Sequence, residues 1–300
     1  MKALITGGTG FIGSALVQRL SLQGFRIGVL TRQPSSIPKR FSSNATAITN
    51  LNQLKPEDSY QVIINLAGAP IFDERWSESR KKVIRDSRVM LTNQLTSAIA
   101  RMKVKPGLLI SGSAIGYYGN QGDTVLTEQS FSKPDFSQQL CSDWESAAKQ
   151  AEQFGVRVCI IRTGLVIASG GGLLQRMLLP FRLGLGGRLG DGKQWMSWIH
   201  REDWLAIAHR MITDPSMSGV YNATAPNPVT NREFTRILAR CVNRPALLPV
   251  PAWVLKTALG ERSELLLGSQ RVLPKRLLAE GFSFQFEDLE SAIRQALNHE

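Results

Sequence analysis

The sequence predicts an α/β protein built on a doubly wound parallel sheet, with a smaller C-terminal lobe. Three observations lead to this fold class. Short apolar runs typical of buried strands alternate with helical segments over the first half of the chain. A glycine-rich turn separates the first strand from the first helix. Beyond residue 163 this alternation gives way to segments marked by glycine and proline.

The elements follow one another in the order that such a sheet requires. Strands are predicted at residues 3–5, 26–30, 45–48, 62–67, 107–111 and 156–161, and right-handed crossovers would place these six in one sheet. Helices are predicted at residues 11–22, 77–102, 142–154 and 204–213, and a return strand at 219–222. Between residues 170 and 192 glycines crowd together, and this region is expected to form loops around a binding face.

A chain of 300 residues can bury a large core and form one or two domains. We expect residues 1–168, joined by the returning segment 196–224, to form the larger domain. Residues 169–195 and 225–300 are expected to form a lobe that covers a substrate.

The first turn carries Gly7, Gly10 and Gly13, a spacing typical of loops that bind a dinucleotide. Gly7 permits a sharp exit from the strand, Gly10 lets the backbone approach phosphate, and Gly13 lets the helix pack close to the sheet. The helix then offers free N–H groups to an anion. The contacts expected from this turn come from Gly7, Thr9, Gly10, Phe11, Ile12 and Gly13.

The end of the second strand indicates which dinucleotide is bound. An NAD site usually places a carboxylate there, whereas this chain has Thr31 and Arg32. A guanidinium with a neighbouring hydroxyl suits a 2′-phosphate, so the sequence favours NADP(H). The alternative is that Arg32 is a solvated loop residue. Arg88, on the helix after the fourth strand, is a candidate second cation on the same side.

Composition narrows the partners and the location. The formal net charge of +12 comes from 36 Lys and Arg spread along the chain, without an aromatic-interleaved basic patch, so we expect phosphorylated small molecules and no nucleic acid. No apolar run is long enough for a bilayer and no signal peptide is evident, which predicts a cytoplasmic protein without membrane contact. Cys141, Cys159 and Cys241 are scattered, which predicts reduced thiols and no metal site.

Several longer segments carry a family resemblance. They include Thr6-Gly7-Gly8-Thr9-Gly10, Asn65-Leu66-Ala67-Gly68, Gly116-Tyr117-Tyr118-Gly119, Trp198-Ile199-His200 and Arg271-Val272-Leu273-Pro274. With them the chain resembles the extended short-chain dehydrogenase/reductase superfamily, and within it an atypical, YfcH-like group of epimerase-family proteins.

The resemblance implies a Rossmann-type domain, an NADP-type cofactor and a C-terminal lobe over a small-molecule substrate, which we expect to be phosphorylated or nucleotide-linked. It also implies a homodimer through the long helices. Further cofactor contacts are expected after the fourth and sixth strands, from Leu66, Ala67, Gly68, Thr163, Gly164 and Leu165.

The same resemblance implies a pair of catalytic residues that this chain does not have at the expected place. Members of the superfamily transfer hydride with a Tyr-x-x-x-Lys pair, in which the ammonium lowers the pKa of the tyrosine. The corresponding helix here has no tyrosine, and Lys149 is too far along it. Depending on register, the pair is replaced by Leu140 with Trp144 or by Cys141 with Glu145.

Other groups are candidates for the missing chemistry. Ser113 matches the hydroxyl position after the fifth strand, and Tyr117 and Tyr118 follow it closely. Each also has a structural interpretation: a loop serine that caps backbone, and a tyrosine pair that walls a pocket. Cys141 is a candidate thiol acid but is more typical of a buried residue.

His200 is a candidate acid or base in the cleft, but we favour a helix cap and inter-lobe contact made with Asp203. His209 and His299 are taken as surface residues. Two functions follow: an NADP(H)-dependent oxidoreductase or epimerase with a rewired proton-transfer site, or a non-catalytic NADP(H)-binding sensor.

Overall fold

The computed structural model describes residues 1–41 and 43–298. Its strands are β1 (Lys2–Thr6), β2 (Arg26–Leu30), β3 (Ala45–Ile48), β4 (Val62–Asn65), β5 (Leu108–Ala114), β6 (Val125–Leu126), β7 (Arg157–Thr163), β8 (Leu165–Ile167), β9 (Trp195–Met196), β10 (Trp198–His200), β11 (Gly219–Ala223), β12 (Val229–Thr230) and β13 (Arg271–Val272). Its helices are α1 (Phe11–Leu22), α2 (Ile37–Arg40), α3 (Glu78–Arg85), α4 (Leu91–Arg101), α5 (Phe136–Lys149), α6 (Gly172–Arg182), α7 (Arg201–Thr213), α8 (Asn231–Cys241), α9 (Ala252–Leu259), α10 (Glu264–Leu267), α11 (Lys275–Ala279) and α12 (Leu289–Asn298).

The centre of the molecule is a seven-stranded parallel sheet in the order β11-β7-β5-β4-β1-β2-β3. The chain runs outward from β1 to β3, returns to β4, and continues outward in the opposite direction. This confirms the doubly wound fold class. The strand order reverses between β1 and β4, and the carboxyl ends of strands at such a reversal open into a crevice that binds ligands. The seventh strand, β11, is the predicted return strand.

Both faces of the sheet are covered because its strands are apolar on both sides. In β4, Ile64 packs into a core with α1 and α7, while Ile63 packs on the opposite face against α4. Successive side chains of a strand point to opposite faces, so a continuous apolar run is the pattern of a strand buried on both sides.

A third core lies in the C-terminal part of the chain. There α6, α8 and α12 pack around Trp198, which is fully buried. Helix α6 corrects the sequence analysis, which predicted loops throughout residues 170–192. The glycines lie at either end of this helix, and Leu174, Leu178 and Phe181 supply a buried helical face between them.

Two helix predictions are corrected in detail. Helix α5 begins at Phe136 rather than at residue 142, because the Asp135 side chain caps it by accepting from the Gln138 amide. The polar residues of its first turn hide this start from an apolar-periodicity argument. The long helix expected at 77–102 is present, but a π-helical turn, Asp86–Met90, joins α3 to α4. Such turns often occur at functional sites.

Gly13 offers a test of how closely α1 packs on the first turn. A Cβ at Gly13 would lie 2.2 Å from the Gly7 carbonyl oxygen, a contact with backbone that no side-chain rotation relieves. We expect Gly13→Ala to lower the free energy of unfolding by about 3 kcal/mol, measured by urea denaturation.

The matched control is Gly107→Ala. Its Cβ would meet only the Gln61 carbonyl oxygen, at an ordinary 3.7 Å, and the change is expected to stay within about 0.5 kcal/mol of the parent. Equal stability of the two variants would contradict the close packing of α1.

Candidate functional site

The glycine-rich turn between β1 and α1 lies at the crevice where the strand order reverses. Gly7 has a φ of +69°, and a Cβ there would lie 2.6 Å from the Leu66 carbonyl oxygen. The Gly10 amide donates to the Gly7 carbonyl oxygen, 3.0 Å away, and no side chain caps the start of α1. A Cβ at Gly10 would meet only that same oxygen within 4 Å. The turn therefore leaves open space and uncapped helix N–H groups, as a bound pyrophosphate requires.

A buried polar network supports the floor of this crevice. The Thr6 hydroxyl donates to Asn65 Oδ1 at 2.7 Å, and Asn65 Nδ2 donates to the Thr92 hydroxyl at 2.7 Å. The Ala67 amide donates in turn to Thr6 Oγ1 at 3.2 Å. These bonds fix the segment 66–68 after β4, next to the glycine-rich turn. Sequence reasoning missed Thr6 and Thr92, because each is an ordinary residue of a strand or helix until the fold brings them together.

Thr31 and Arg32 directly follow β2, at the same edge of the sheet as the glycine-rich turn. Thr31 is buried, and its hydroxyl accepts from the Gln33 amide at 3.0 Å, so it shapes the turn that follows. Arg32 is exposed. Among the residues that the structure describes, Arg32 has no recorded side-chain hydrogen bond or ion pair. Its guanidinium is therefore available to an anion.

Arg88 lies after β4, in the helical segment where the sequence places it. It sits in the π-helical turn, with its guanidinium carbon 5.5 Å from the centre of the Trp144 ring and against Gly68, and Nη1 donates to the Ala69 carbonyl at 3.1 Å. Burial lowers the pKa of this guanidinium from its ordinary value. Arg88 follows β4 and Arg32 follows β2, with β1 between these two strands. A position of both cations on the same side of the cofactor stays a prediction.

Ser113, near the end of β5, belongs to a buried charged unit. Its hydroxyl donates to Glu145 Oε1 at 2.7 Å. Arg162, from β7, grips the same carboxylate with Nε to Oε1 at 2.8 Å and Nη2 to Oε2 at 2.9 Å. The side chains of Arg162 and Glu145 are only 4% and 3% exposed. Burial works against the charge of Arg162, yet the hydrogen bonds and charge of Glu145 raise its pKa above the ordinary value.

The register that the sequence left open is now decided. Cys141 and Glu145, one turn apart on α5, face Ser113. Leu140 and Trp144 instead pack into an apolar cluster with residues of α3. The helix therefore presents a thiol and a carboxylate where the superfamily presents a phenol and an ammonium. The cation of this site comes from β7 instead of α5.

The Cys141 thiol is poorly suited to acid or base work near neutral pH. Burial and the nearby Glu145 carboxylate raise its pKa to about 11, against weaker lowering by the Ala114 backbone and the Ser113 hydroxyl. It is therefore protonated at neutral pH, as expected of a buried structural cysteine. Cys159 is also buried, Cys241 is intermediate, and all three cysteines are free thiols.

The two candidate tyrosines have different surroundings. Tyr118 is fully buried; its hydroxyl donates to Asn222 Oδ1 at 2.7 Å and accepts from Arg162 Nη1 at 3.0 Å. Burial raises the pKa of Tyr118 to about 12. Tyr117 is partly exposed, and its ring centroid lies 3.3 Å from the guanidinium carbon of Arg162. Of the pair, only Tyr117 is partly exposed, while Tyr118 joins the charged unit to Asn222 of β11.

The segment after β7 is held in place by neighbouring backbone. A Cβ at Gly164 would lie 2.7 Å from the Ser197 carbonyl oxygen, and the Leu165 amide donates to that oxygen at 2.9 Å. Trp204 Nε1 donates to the Thr163 hydroxyl at 3.1 Å. Thr163, Gly164 and Leu165 therefore connect the sheet to β10 and α7.

Phe11 links the glycine-rich turn to the C-terminal lobe. A Cβ at Gly171 would lie 2.4 Å from its ring, so the loop before α6 approaches the ring closely. The guanidinium carbon of Arg201 lies 5.2 Å from the centre of the same ring. The glycine-rich turn and the loop before α6 are therefore packed against each other.

His200 and Asp203 make the structural contacts that the sequence favoured. His200 Nδ1 accepts from the Glu202 amide at 3.3 Å at the start of α7, and its ring packs 3.9 Å from that of Phe286. Asp203 accepts from the Gln285 amide at 2.7 Å, and burial raises its pKa. His299 lies outside the described residues.

Residues 1–41 and 43–298 contain no group of three or more His, Cys, Asp or Glu side chains in an arrangement that could hold a metal ion. The helices there are all too short or too polar to span a bilayer.

Comparisons with known proteins agree with the geometry. Residues 3–224 match the model of the NAD dependent epimerase/dehydratase family, and residues 250–296 match a domain of unknown function, DUF1731. The chain is 39% identical to the Arabidopsis thaliana epimerase family protein SDR39U1 homolog, chloroplastic, over 98% of this chain and 86% of that protein. It is 38% identical to the Bacillus subtilis epimerase family protein YfhF, over 99% and 98%.

The crystal structure of human epimerase family protein SDR39U1 (isoform 2) with NADPH is also similar. It superposes with a TM-score of 0.90 at 32% identity and covers all of both chains. The structural similarity therefore extends over the whole length of both chains.

The buried ion pair generates a stability prediction. Glu145→Gln leaves the Arg162 charge buried without a counter-charge, so we expect the free energy of unfolding to fall by about 3–5 kcal/mol in chemical denaturation. Asp143→Asn, on the same helix, removes a pair with Arg85 that is partly exposed, and is expected to cost less than about 1 kcal/mol. If the Glu145→Gln variant were as stable as Asp143→Asn, the charge of the buried carboxylate would not make the predicted contribution to the free energy of unfolding.

Proposed function

Because this chain belongs to the NAD dependent epimerase/dehydratase family, we propose that it binds NADP(H) along the carboxyl ends of β1, β2 and β4. The observation that carries this proposal is the glycine-rich turn at the strand reversal, with its open space and uncapped helix N–H groups. The structure of the human relative with NADPH supports the choice of cofactor.

The residues proposed to hold the cofactor fall into three groups. The turn formed by Gly7, Thr9, Gly10, Phe11, Ile12 and Gly13 would hold the pyrophosphate. The 2′-phosphate is taken by Thr31 and Arg32, since the exposed guanidinium there is unpaired among the described residues. The remaining contacts come from Leu66, Ala67, Gly68, Arg88, Thr163, Gly164 and Leu165.

We further propose that the site catalyses oxidation or reduction of a small molecule, or an epimerisation that uses the same chemistry. NADP(H), when bound, supplies or takes the hydride. The proton transfer is assigned to Ser113. Its own proton is directed at Glu145, so its lone pairs can accept the proton of a substrate hydroxyl while it passes its own to Oε1. Arg162 positions the carboxylate for this transfer. In the reverse direction the same proton returns to the substrate oxygen.

Tyr117 is proposed to contact the substrate, because it is the tyrosine of the pair that is partly exposed beside Arg162. Tyr118 is assigned a positioning role, since both of its recorded hydrogen bonds are to buried side chains. The excess of Lys and Arg over Asp and Glu in the chain favours a phosphorylated or nucleotide-linked substrate.

A second function is favoured by two specific observations. Ser113 is only 4% exposed, and the Cys141 thiol is protonated at neutral pH. A site of this kind suits a protein that binds NADP(H) without turnover and reports its level to a partner. The domain limits, the cytoplasmic location and the homodimer predicted from the sequence stay predictions.

Cofactor choice is tested by Arg32→Gln. Loss of charge-assisted hydrogen bonds to the 2′-phosphate is expected to weaken NADPH binding about 10- to 100-fold and to leave NADH binding nearly unchanged, in fluorescence titrations. Arg26→Gln is the matched control, since Arg26 is exposed at the opposite end of the same strand. Equal loss for both nucleotides, or none for NADPH, would contradict the assignment.

Catalysis is tested by Ser113→Ala. With a panel of carbonyl compounds and nucleotide sugars, we expect NADPH oxidation by the parent protein and a rate at least about 100-fold lower in the variant, with unchanged NADPH affinity. Ser97→Ala, on the exposed surface of α4, is the control. If the parent oxidises NADPH with no compound of the panel while binding it tightly, the sensor function is supported instead.

A further inference from the structure

A surface groove lies on the C-terminal lobe between α8 and the segment that follows it. Its volume is about 670 Å³, within the range of sites that bind small molecules. The residues that line it are Arg188, Arg232, Thr235, Arg236, Ala239, Arg240, Asn243, Arg244, Ala246, Leu247 and Pro249. It shares no residue with the proposed cofactor site or with the Ser113 unit.

Five of the lining residues are arginines and none carries a negative charge. Arg232, Arg236 and Arg240 follow one another at four-residue spacing on α8, which places them on one face about 6 Å apart along the helix axis. Arg188 approaches the same face, since it lies beside Arg232 at Gly192. Like charges this close repel one another, and an anion in the groove would relieve that repulsion.

Few of these charges are neutralised by the protein. Arg240 pairs with Glu290, 3.4 Å away. Arg232 and Arg244 donate only to backbone carbonyl oxygens. For Arg188 and Arg236, the described part of the chain records no hydrogen bond or ion pair, although the charge of Arg236 helps to lower the pKa of the Glu233 carboxyl on the same helix. The groove therefore keeps several guanidinium groups free to bind.

Thr235 supplies an independent observation. It lines the groove, is 5% exposed, and its hydroxyl has no hydrogen-bond partner among the described residues. A hydroxyl that is buried without a hydrogen-bond partner is unfavourable, because it has lost its contacts with water and has no other hydrogen bond to replace them. A ligand oxygen in the groove would satisfy it.

We propose that this groove binds a phosphorylated organic anion with at least two negative charges. Guanidinium groups bind phosphate oxygens through paired hydrogen bonds, and their 6 Å repeat suits a chain of phosphates. Ala239, Ala246, Leu247 and Pro249 provide an apolar wall for the organic part. The groove shares no residue with the proposed cofactor site, so an anion bound there would occupy a second site.

The test uses full-length protein saturated with NADPH, titrated calorimetrically with tripolyphosphate and, separately, with ATP. ATP binding tighter than tripolyphosphate is expected, because only ATP has an organic part. The double variant R188Q/R236Q should weaken both by about tenfold for each guanidinium removed. Replacing the same two residues with lysine should recover only part of the affinity, since lysine keeps the charge but loses the paired geometry.

Controls separate this site from the cofactor site. R26Q/R101Q removes two exposed arginines outside the groove and should bind both probes as the parent does. Arg32→Gln should weaken NADPH in a separate titration but leave tripolyphosphate binding unchanged. Thr235→Val should weaken the probes severalfold without lowering the melting temperature, because the hydroxyl has no partner to lose.

Three results would overturn the proposal. One is equal binding of the probes by the parent and R188Q/R236Q. Another is full recovery by the lysine variant, which would indicate diffuse charge attraction. The third is binding of heparin or poly-glutamate through the same arginines with none of either phosphate probe, which would assign the groove to a macromolecule.

Discussion

The arrangement of the site depends on one buried ion pair, between Glu145 of α5 and Arg162 of β7. Through it α5 is fixed to the sheet, Ser113 is given a defined direction, and Tyr118 is joined to Asn222 of β11. Each of these groups is buried, so each needs its partner. The carboxyl ends of three neighbouring strands, β5, β7 and β11, are therefore connected by one continuous polar network.

The glycine-rich turn could be predicted because its signals are local. Its glycines lie within a few residues of one another between β1 and α1, and Arg32 follows β2 closely in the sequence. The cofactor contacts assigned to these residues stay predictions. The charged unit was not predictable in the same way. Its members are separated by 17 residues for Glu145 and Arg162 and by 104 for Tyr118 and Asn222, and no periodic pattern relates residues at such distances. A sequence signal does exist in Arg162, a charged residue that directly follows an apolar run within β7.

The predicted strands and helices show the same difference between local signals and long-range contacts. Strands β1, β2, β3 and β4 were found because apolar runs report burial directly. Helix α6 was missed because glycines at both ends resemble a loop, and the start of α5 was missed because Asp135 and polar residues begin it. Sequence patterns therefore predicted most of the strands and helices, but not which side chains from different elements contact one another.

The form of the ion pair also bears on whether it is merely structural. Burying two charges costs about as much as their attraction returns, and apolar side chains of similar volume often stabilise a core equally well. Stability alone therefore gives no reason for a carboxylate at position 145. What the pair provides, and an apolar pair cannot, is an oxygen held 2.7 Å from the Ser113 hydroxyl at the end of β5. In the superfamily that this chain resembles, the equivalent hydroxyl faces a phenol with an ammonium behind it. Here the Ser113 hydroxyl faces a carboxylate with a guanidinium behind it. A cation still stands behind the partner of the hydroxyl, but that partner now accepts a proton instead of donating one.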